Sequence, residues 1–317
     1  MCGIFGFINY SGDNLKDLSK LTNFLAQESA IRGTDATGIA FNNPGGIKIV
    51  KDDKSAYKMK FVHPDNVKSV IGHTRHSTKG SEKQNYNNHP FIGSCINSKF
   101  ALVHNGVLSN DAELRKKHKF PKTKIETDSY IAVQLIQSKN FLDFDSIRYM
   151  AEQVNGSFSF AILDKKANVY LVKGDSPLSI LHFPKLKIYV YASTAEILFR
   201  GIVDYPPIFS ELKNGGFEVI DISEGEILKI RPDGVIDKTT FDYNTYYGKD
   251  WWYYGSYSWF DSENDKSSYT KNDYIEDLKS VASYQGLDPD YIDVLISEGF
   301  ALEEVEDYLY CCTGGEI

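Results

Sequence analysis

The stretch that decides the fold stands at the start of the chain, where the residues are Met1-Cys2-Gly3-Ile4-Phe5-Gly6-Phe7-Ile8-Asn9. Its alternating apolar residues predict a buried strand. It has neither a charged leading segment nor a long apolar core, so it does not resemble a secretion signal. An initiator methionine is generally removed before a small residue, and we therefore expect Cys2 to be the N-terminus of the mature protein.

A cysteine at the mature N-terminus would carry both a thiol and a free α-amine. Such an amine has a pKa of roughly 7.7–8.0, so it can act as a base beside the sulfur near neutral pH. The alternative is that Cys2 is simply a buried apolar residue, as free cysteines often are. Position 2 alone favours the second interpretation, and the motifs further along the chain favour the first.

Composition limits the class of protein. The chain has 317 residues, of which 42% are hydrophobic and 25% are charged, which is typical of a soluble protein with one large domain plus an appendage, or with two domains. No apolar run approaches the roughly 20 residues that span a membrane. The four cysteines lack the spacing of a disulfide framework or a zinc site. We therefore expect a cytoplasmic protein without a metal or other cofactor.

Charge is distributed unevenly along the chain. Residues 261–317 contain 15 acidic and 3 basic residues, whereas the first 260 residues contain 28 acidic and 32 basic ones. An acidic tail argues against a nucleic-acid partner, because contacts with phosphate dominate such binding.

The apolar pattern predicts few helices and many strands. A helix is expected from a cap at Asp13 or Asn14 to near Gly33, another from Glu126, and a third over Phe144–Val154. Strands are expected in the second half of the chain, over Ser157–Leu163, Val169–Lys173, Ser179–Phe183, Ile188–Ala192, Gly216–Ile222 and Glu226–Ile230. Without a βαβ alternation, this order predicts an α+β layered sandwich.

The pair Asn105-Gly106 follows an apolar strand, Phe100–Val103. An Asn-Gly pair is first of all a turn signal, and this one favours a hairpin turn. The functional alternative is that the Asn105 side-chain amide and the Gly106 backbone N–H face one point. Two such donors are what an oxyanion hole requires.

Five separated stretches form one pattern in chain order, namely Cys2-Gly3-Ile4-Phe5-Gly6, Arg32-Gly33-Thr34-Asp35, Gly72-His73-Thr74-Arg75, Val103-His104-Asn105-Gly106 and Glu126-Thr127-Asp128. Together they resemble a class II glutamine amidotransferase domain, and the pattern is nearest to the glutaminase domain of glucosamine-6-phosphate synthase. The resemblance covers roughly residues 2–235. It implies the four-layer αββα fold of N-terminal-nucleophile hydrolases, followed by a small helical appendage. The expected domains are residues 1–240, an aromatic-rich linker over 241–272, and an acidic helical bundle over 273–317.

The resemblance also implies a role for individual residues. Cys2 would attack the side-chain amide of L-glutamine with its own α-amine as base, and Arg32 would orient this nucleophile. Asn105 and Gly106 would hold the oxyanion of the tetrahedral intermediate. The implied catalytic residues are therefore Cys2, Arg32, Asn105 and Gly106.

Substrate binding is implied for a second group of residues. Arg75 would pair with the α-carboxylate of glutamine and Asp128 with its α-ammonium, and the residue types agree, since a zwitterion needs one cation and one anion at a fixed separation. Thr78, His76 and His89 would line the loop that covers glutamine. The nearest family members have Trp directly after the Arg, where this chain has His76, so the closure of that loop is expected to differ.

The family's sugar-isomerase half does not follow the domain in this sequence. We therefore expect the ammonia to pass to a synthase partner supplied in trans. Two alternatives remain open: another N-terminal-nucleophile amidase that acts on a different amide, or a catalytically retired regulatory protein that binds glutamine. The pair Arg75 and Asp128 favours an amino-acid substrate.

The tail has two parts with different compositions. Residues 243–260 contain ten aromatic residues, among them all three tryptophans of the chain. This aromatic stretch is expected to pack on the catalytic domain or to dock on a partner. Three short helices are expected from Asp273 onwards, with Asp288 capping the second.

Overall fold

The structure is a computed structural model that describes residues 2–12, 15–243, 275–276, 278–279, 282–283, 288–297, 302 and 305. The chain divides into two compact units, Met1–Tyr253 and Tyr254–Ile317. The predicted helix caps Asp13 and Asn14 lie outside the described residues, and so do the aromatic residues that follow Tyr243. The predicted domain limits at residues 240 and 272 stay a prediction.

Strands make up most of the first unit. The described strands are β1 (Gly3–Asn9), β2 (Ala36–Asn43), β3 (Gly46–Asp52), β4 (Ser69–Arg75), β5 (Phe91–Ser94), β6 (Lys99–Leu108), β7 (Gly156–Asp164), β8 (Val169–Lys173), β9 (Ser179–Phe183), β10 (Ile188–Ala192), β11 (Glu218–Val219), β12 (Glu226–Ile230) and β13 (Ile236–Thr240). The first sheet has seven strands in the order β11-β9-β10-β1-β4-β2-β3, and the second has six in the order β13-β12-β8-β7-β6-β5. Neighbouring strands are antiparallel in both sheets.

The helices of the first unit fall between these strands in the sequence. They are α1 (Leu18–Ser29), α2 (Asp111–Lys117), α3 (Tyr130–Ser138), α4 (Phe144–Gln153), α5 (Ala195–Val203) and α6 (Pro206–Lys213). The sequence did not predict α2, α5 or α6. Two of them nevertheless begin with a recognisable signal, because Thr194 caps α5 by accepting a hydrogen bond from the Ile197 N–H, and Pro206 occupies the first turn of α6.

Strand β1 shows how the layers are stacked. Phe5 and Phe7 pack in one core cluster with residues of α1 and α5, whereas Ile4 and Ile8 pack in another with Val103 of β6. Successive side chains of a strand point to opposite faces, so the first cluster lies between helices and sheet and the second between the two sheets. Each large apolar side chain that is fully buried in this way stabilises the fold by about 1.5–3 kcal/mol.

Helices α3 and α4 cover the outer face of the second sheet. Ile131 of α3 and Ile147 of α4 share a third buried cluster with Phe158 and Phe160 of β7. The order of layers is therefore helices, sheet, sheet, helices. The α+β class and the αββα sandwich predicted from the sequence are both confirmed.

Most of the strands predicted in the second half of the chain are confirmed at both ends, namely β8, β9, β10 and β12. The prediction of a strand over Gly216–Ile222 is wrong in length. The strand there, β11, comprises Glu218 and Val219, because it is an exposed edge strand that pairs with β9 alone.

The second unit is described by fewer residues. Its described helix, α7 (Asp290–Ser297), follows Asp288, whose side chain accepts a hydrogen bond from the Asp290 N–H as a cap would. A small apolar cluster forms around Leu278, Ala282 and Leu295. In the part of the chain that the structure describes, no helix combines the length and the apolar character needed to cross a membrane.

Candidate active site

Cys2 lies where the first sheet brings two chain segments together. Strand β1 pairs with β4 so that Gly3 stands opposite Thr74, and Cys2 therefore lies beside the residues that follow Arg75. The Cys2 Sγ is 3.4 Å from the His76 backbone N, which donates to it. The Arg32 Nε donates to the Cys2 carbonyl oxygen at 2.8 Å, so Arg32 contacts the residue that it was expected to orient.

The environment of Cys2 determines the state of its thiol. Burial raises the pKa of Cys2 above its ordinary value, and the His76 N–H and the charge of Arg75 offset this effect in part. Asp128 raises the pKa of the thiol further. The thiol is therefore protonated at neutral pH, and a nucleophilic role for Cys2 requires a base that removes its proton.

Arg75 is held rigidly at the end of β4, with 3% of its surface exposed. Its Nη1 donates to the Asn88 Oδ1 at 2.7 Å, and its Nη2 donates to the carbonyl oxygens of Lys79 and Gly80 at 2.7 and 2.6 Å. These contacts use three of the five N–H donors of a guanidinium group. The Nε–H and the second N–H of Nη1 remain, and each can donate one hydrogen bond to a bound oxygen.

Asp128 is buried, with 6% of its surface exposed, and is tied to strand β6. Its Oδ2 accepts a hydrogen bond from the Leu108 N–H at 2.6 Å, and its Oδ1 accepts one from the Ser129 N–H at 2.8 Å. The predicted helix starting at Glu126 begins later, at Tyr130, because Asp128 and Ser129 make these contacts instead. Asp128 is therefore fixed by the strand rather than carried by a helical turn.

Asn105 and Gly106 lie inside β6 and pair with Ser159 and Phe158 of β7, so the prediction of a hairpin turn at this pair is wrong. Gly106 has a φ of +132°, and a Cβ added to it would lie 2.0 Å from the Ser157 carbonyl oxygen. Only glycine fits there without strain. The Asn-Gly signal thus marks a distorted strand position rather than a turn.

One edge of β6 presents backbone groups of alternate residues. The His104 carbonyl oxygen accepts from the His73 ring at 2.9 Å, and the Leu108 N–H donates to Asp128. Gly106 lies between these two residues, and strand alternation directs its N–H to the same edge, away from β7. The pairing of β6 with β5 ends at Leu102, so β5 does not cover this edge.

The side-chain amide of Asn105 is the other donor that the sequence predicted for an oxyanion hole. Asn105 is 1% exposed, and its Nδ2 has no hydrogen-bond partner among the described residues. Leaving a buried donor unpaired costs about 1–3 kcal/mol, which is often a mark of a functional site. The arrangement fits a donor that is reserved for a bound group.

His76 and Thr78 are exposed on the segment that follows β4. Asp35 anchors this segment, because its Oδ2 accepts from the Ser77 N–H at 2.7 Å and its own N–H donates to the Arg75 carbonyl oxygen at 3.0 Å. Sequence reasoning did not assign a site role to Asp35. Its place in the motif Arg32-Gly33-Thr34-Asp35 was the available signal.

His89 lies deeper than the exposed segment. It is 4% exposed, its ring centroid is 4.0 Å from that of His73 and 4.4 Å from that of Phe91, and neither ring nitrogen has a hydrogen-bond partner in the described part of the chain. His73, His89 and His104 together form a buried cluster, which we call the buried histidine cluster. Burial is the main cause that lowers the pKa of all three, and it brings the pKa of His73 to about 3.

The buried histidine cluster predicts acid sensitivity. Below a pH of about 6.5 the unfolded chain binds a proton at His73 that the folded protein excludes, so the free energy of unfolding falls as the pH falls. For His73 alone we expect a loss of about 2 kcal/mol between pH 6.5 and pH 5. Urea unfolding of His73→Gln, whose amide can still donate to the His104 carbonyl oxygen, should show a correspondingly shallower loss than the wild type.

The exposed His76→Gln is the control for this measurement, and it should keep the pH dependence of the wild type. Equal slopes for His73→Gln and the wild type would contradict the assignment of His73 as a neutral buried group.

No group of three or more His, Cys, Asp or Glu side chains among the residues described is arranged to hold a metal ion.

Part of the chain matches a known family of domains. Residues 73–200 match a family model described as a glutamine amidotransferase domain. The matched range includes Arg75, Asn105, Gly106 and Asp128, and it begins after Cys2.

Curated relatives extend the similarity. The chain is 34% identical to the glutamine–fructose-6-phosphate aminotransferase (isomerizing) of Bacillus licheniformis over 191 residues, which are 57% of this chain and 30% of that protein. The enzyme of the same name from Staphylococcus epidermidis is 34% identical over 190 residues, with the same two coverages. The chain thus spans 30% of the length of these relatives.

Two solved structures share the fold. Glutamine phosphoribosylpyrophosphate amidotransferase from B. subtilis, complexed with ADP and GMP, has a TM-score of 0.60 and 22% identity, and the match covers 77% of this chain and 50% of that one. A structure described as the allosteric regulatory enzyme of purine biosynthesis has a TM-score of 0.62 and 20% identity, with 89% of this chain and 58% of that one covered. The chain therefore carries a glutamine amidotransferase domain, matched over residues 73–200, and it shares the αββα fold with these two solved structures.

Proposed function

We propose that this domain hydrolyses the side-chain amide of L-glutamine, with the Cys2 thiol as nucleophile, and releases glutamate and ammonia. The observation that carries the proposal is that the Cys2 thiol lies in the field of one buried cation, Arg75, and one buried carboxylate, Asp128. A free amino acid carries one charge of each sign beside its side chain. An amide within a peptide would need neither partner.

In the proposed reaction, the Cys2 sulfur bonds to the carbon of the glutamine side-chain amide while the α-amine of Cys2 takes the thiol proton. The amide oxygen becomes an oxyanion, which the Asn105 Nδ2 and the Gly106 N–H stabilise. The carbon–nitrogen bond then breaks, the proton passes from the α-amine to the leaving nitrogen, and ammonia departs from a thioester. Water attacks the thioester carbon, which releases glutamate and restores the thiol.

The state of the thiol supports the choice of base. Burial raises the pKa of Cys2, so a thiolate is scarce at neutral pH and proton removal must accompany attack. The α-amine of the same residue is close in pKa to the operating pH. A retained Met1 would convert this amine into a non-basic amide, so the proposal requires Cys2 to be the N-terminus.

Other residues take supporting roles in the proposal. Arg32 holds the backbone of Cys2 through its carbonyl oxygen, and the His76 N–H fixes the sulfur. His76 and Thr78 belong to the exposed segment that we assign to glutamine contact. His89, which packs on His73, is assigned to the lining of the same loop.

Asp128→Asn is expected to weaken glutamine binding while the fold is kept. Loss of one charged partner of the substrate α-ammonium should raise KM on the order of tenfold to a hundredfold, with a smaller effect on kcat. Steady-state glutaminase kinetics measure both constants. Asp164→Asn is the matched control, because Asp164 is a buried carboxylate that accepts from the Lys166 and Asn168 N–H groups of a turn. An unchanged KM in Asp128→Asn would argue against its assigned role.

The function is tested by assaying ammonia and the product that carries a carboxylate in place of the side-chain amide. The substrates are L-glutamine, L-glutaminamide, which lacks the α-carboxylate, and N-acetyl-L-glutamine, which lacks the α-ammonium. We expect hydrolysis of L-glutamine and a strong preference for it over both analogues. Equal hydrolysis of all three would favour an amidase for a different amide. Glutamine binding without hydrolysis would favour a retired regulatory protein.

The proposal extends to the use of the ammonia. The relatives are named as aminotransferases of fructose 6-phosphate, and this chain matches 30% of their length. We propose that the ammonia passes to a synthase in trans, and that the acidic tail, taken as residues 273–317 behind the linker 241–272, recruits it. Affinity capture from the native extract with the full chain, compared with a chain ending at residue 240, tests this part separately.

A further inference from the structure

We propose that Lys51 of β3 is a positioning residue for the α-carboxylate of glutamine, because it fixes Asn88, which in turn fixes the guanidinium group of Arg75. The inference rests on the proposed glutaminase function, in which Arg75 receives that carboxylate. It adds a residue that the motifs of the sequence do not contain.

The contacts of Lys51 bracket His89. The Lys51 Nζ donates to the carbonyl oxygen of Asn88 and to that of Pro90, the latter at 3.0 Å. The connection is reciprocal, because the Asn85 Nδ2 donates to the Lys51 carbonyl oxygen at 3.0 Å. One ammonium group thus holds the segment 88–90 on both sides of its central residue.

Asn88 has little freedom of its own. It is 1% exposed, its Nδ2 donates to the carbonyl oxygen of Glu82 at 2.8 Å and to the Asn85 Oδ1 at 3.2 Å, and its Oδ1 accepts from Arg75 at 2.7 Å. These contacts fix which way the amide faces, since nitrogen donates on one side and oxygen accepts on the other. Movement of the Asn88 backbone would therefore move the acceptor that aligns Arg75.

The segment 88–90 packs closely against strands β2 and β3. Lys51 pairs with Gly38 of β2, and a Cβ added to Gly38 would lie 2.3 Å from the His89 carbonyl oxygen and 2.6 Å from the Lys51 Cβ. The segment therefore rests directly on the β2–β3 pair. The contact between Lys51 and Asn88 therefore lies at the β3 edge of the first sheet, where Lys51 is half-buried.

The ammonium group of Lys51 is not paired with a carboxylate among the described residues. No acidic side chain within the described residues comes within 4.0 Å of its Nζ, and the neighbouring Asp52 and Asp53 pair instead with Lys54 and Lys83. Burial, and then the charge of Arg75, lower the pKa of Lys51 to about 8. Two neighbouring cations disfavour each other, and a bound carboxylate would relieve this repulsion.

The first test compares kinetics of three variants. Lys51→Met removes the donors and the charge at similar length, and we expect KM for glutamine to rise about tenfold while kcat stays within about twofold. Lys51→Arg keeps both features and should restore most of the affinity. The control is Lys48→Met, which removes an exposed cation from the same strand and should match the wild type. If Lys51→Met does not fold, Lys51→Gln repeats the test.

The second test asks whether Lys51 acts through Arg75. In the background of Arg75→Met, adding Lys51→Met should change KM by less than about twofold, because the residue that it positions is gone. Calorimetric titration with L-glutamate, which carries the same α-groups, gives the same comparison without turnover.

The outcomes separate the two proposals. If the wild type binds L-glutamate more tightly than Lys51→Met but hydrolyses no glutamine, the function fails and the role of Lys51 stands. An unchanged KM and Kd in Lys51→Met, or an equal penalty with and without Arg75, overturns the role of Lys51. A wild type that binds neither compound overturns both.

Discussion

Cys2→Ala is expected to reduce glutamine hydrolysis by a factor on the order of 10⁴ to 10⁶, because the reaction loses its nucleophile and no thioester can form. Binding should survive, since Arg75 and Asp128 are untouched. We therefore expect Cys2→Ala to bind L-glutamine with a Kd close to the KM of the wild type. Stopped assays for glutamate measure the loss of rate, and calorimetry measures the binding.

Cys95→Ala is the matched control for that variant. Cys95 is the other partly buried free cysteine among the described residues, and burial raises its pKa to about 11, so it is a poor nucleophile. Its replacement should leave the glutaminase rate unchanged. Comparable activity in Cys2→Ala and the wild type would show that the nucleophile has been assigned to the wrong residue.

Asn105→Ala should lower kcat by a factor of about 10²–10³ with little change in KM. The buried Asn105 Nδ2 lacks a protein partner in the described structure, so its removal costs the fold little and the transition state much. This split between kcat and KM distinguishes an oxyanion donor from a residue that binds the ground state. Single-turnover kinetics would place the loss in thioester formation.

Asn214→Ala, an identical change at an exposed position after α6, should leave kcat as in the wild type. If Asn105→Ala lost thermal stability together with kcat, the result would instead point to a structural role. The Gly106 N–H is a backbone group, so some oxyanion stabilisation should remain in Asn105→Ala. Its kcat should therefore stay above that of Cys2→Ala.

The sequence predicted those parts of the fold that depend on local pattern. The apolar alternation of β1, and the limits of β8, β9, β10 and β12, follow from a period of two residues and from flanking turn residues. The αββα order came from the resemblance of five motifs rather than from the pattern. Strand order within the sheets depends on long-range pairing, which local pattern does not determine.

The Asn105-Gly106 pair shows where local signals fail. Its composition favours a turn, but it pairs with residues of β7 that lie more than fifty positions later in the chain. This pairing holds it inside a strand. The positive φ of Gly106 is one that glycine adopts without strain. The competing interpretation, two donors facing one point, was available from the residue types, and deciding between them required the position of β7.

The buried histidine cluster and the Lys51 contacts could not be predicted. His73, His89 and His104 come from three segments that meet only in the folded unit, and Lys51 belongs to none of the five motifs. A site role for Asp35 could have been predicted, because Asp35 stands in the motif that contains Arg32. Its contact with the Ser77 N–H depends on the end of β4 lying beside that turn.

The role of Cys2 as nucleophile is tested by labelling the active protein with a glutamine analogue that carries a diazomethyl ketone in place of the side-chain amide. The adduct is then mapped by mass spectrometry. We expect one adduct per chain, on the sulfur of Cys2, in a peptide that begins with Cys2 and has a free α-amine. Glutamine should protect against labelling. An adduct on another residue, or active protein that retains Met1, would contradict the proposed mechanism.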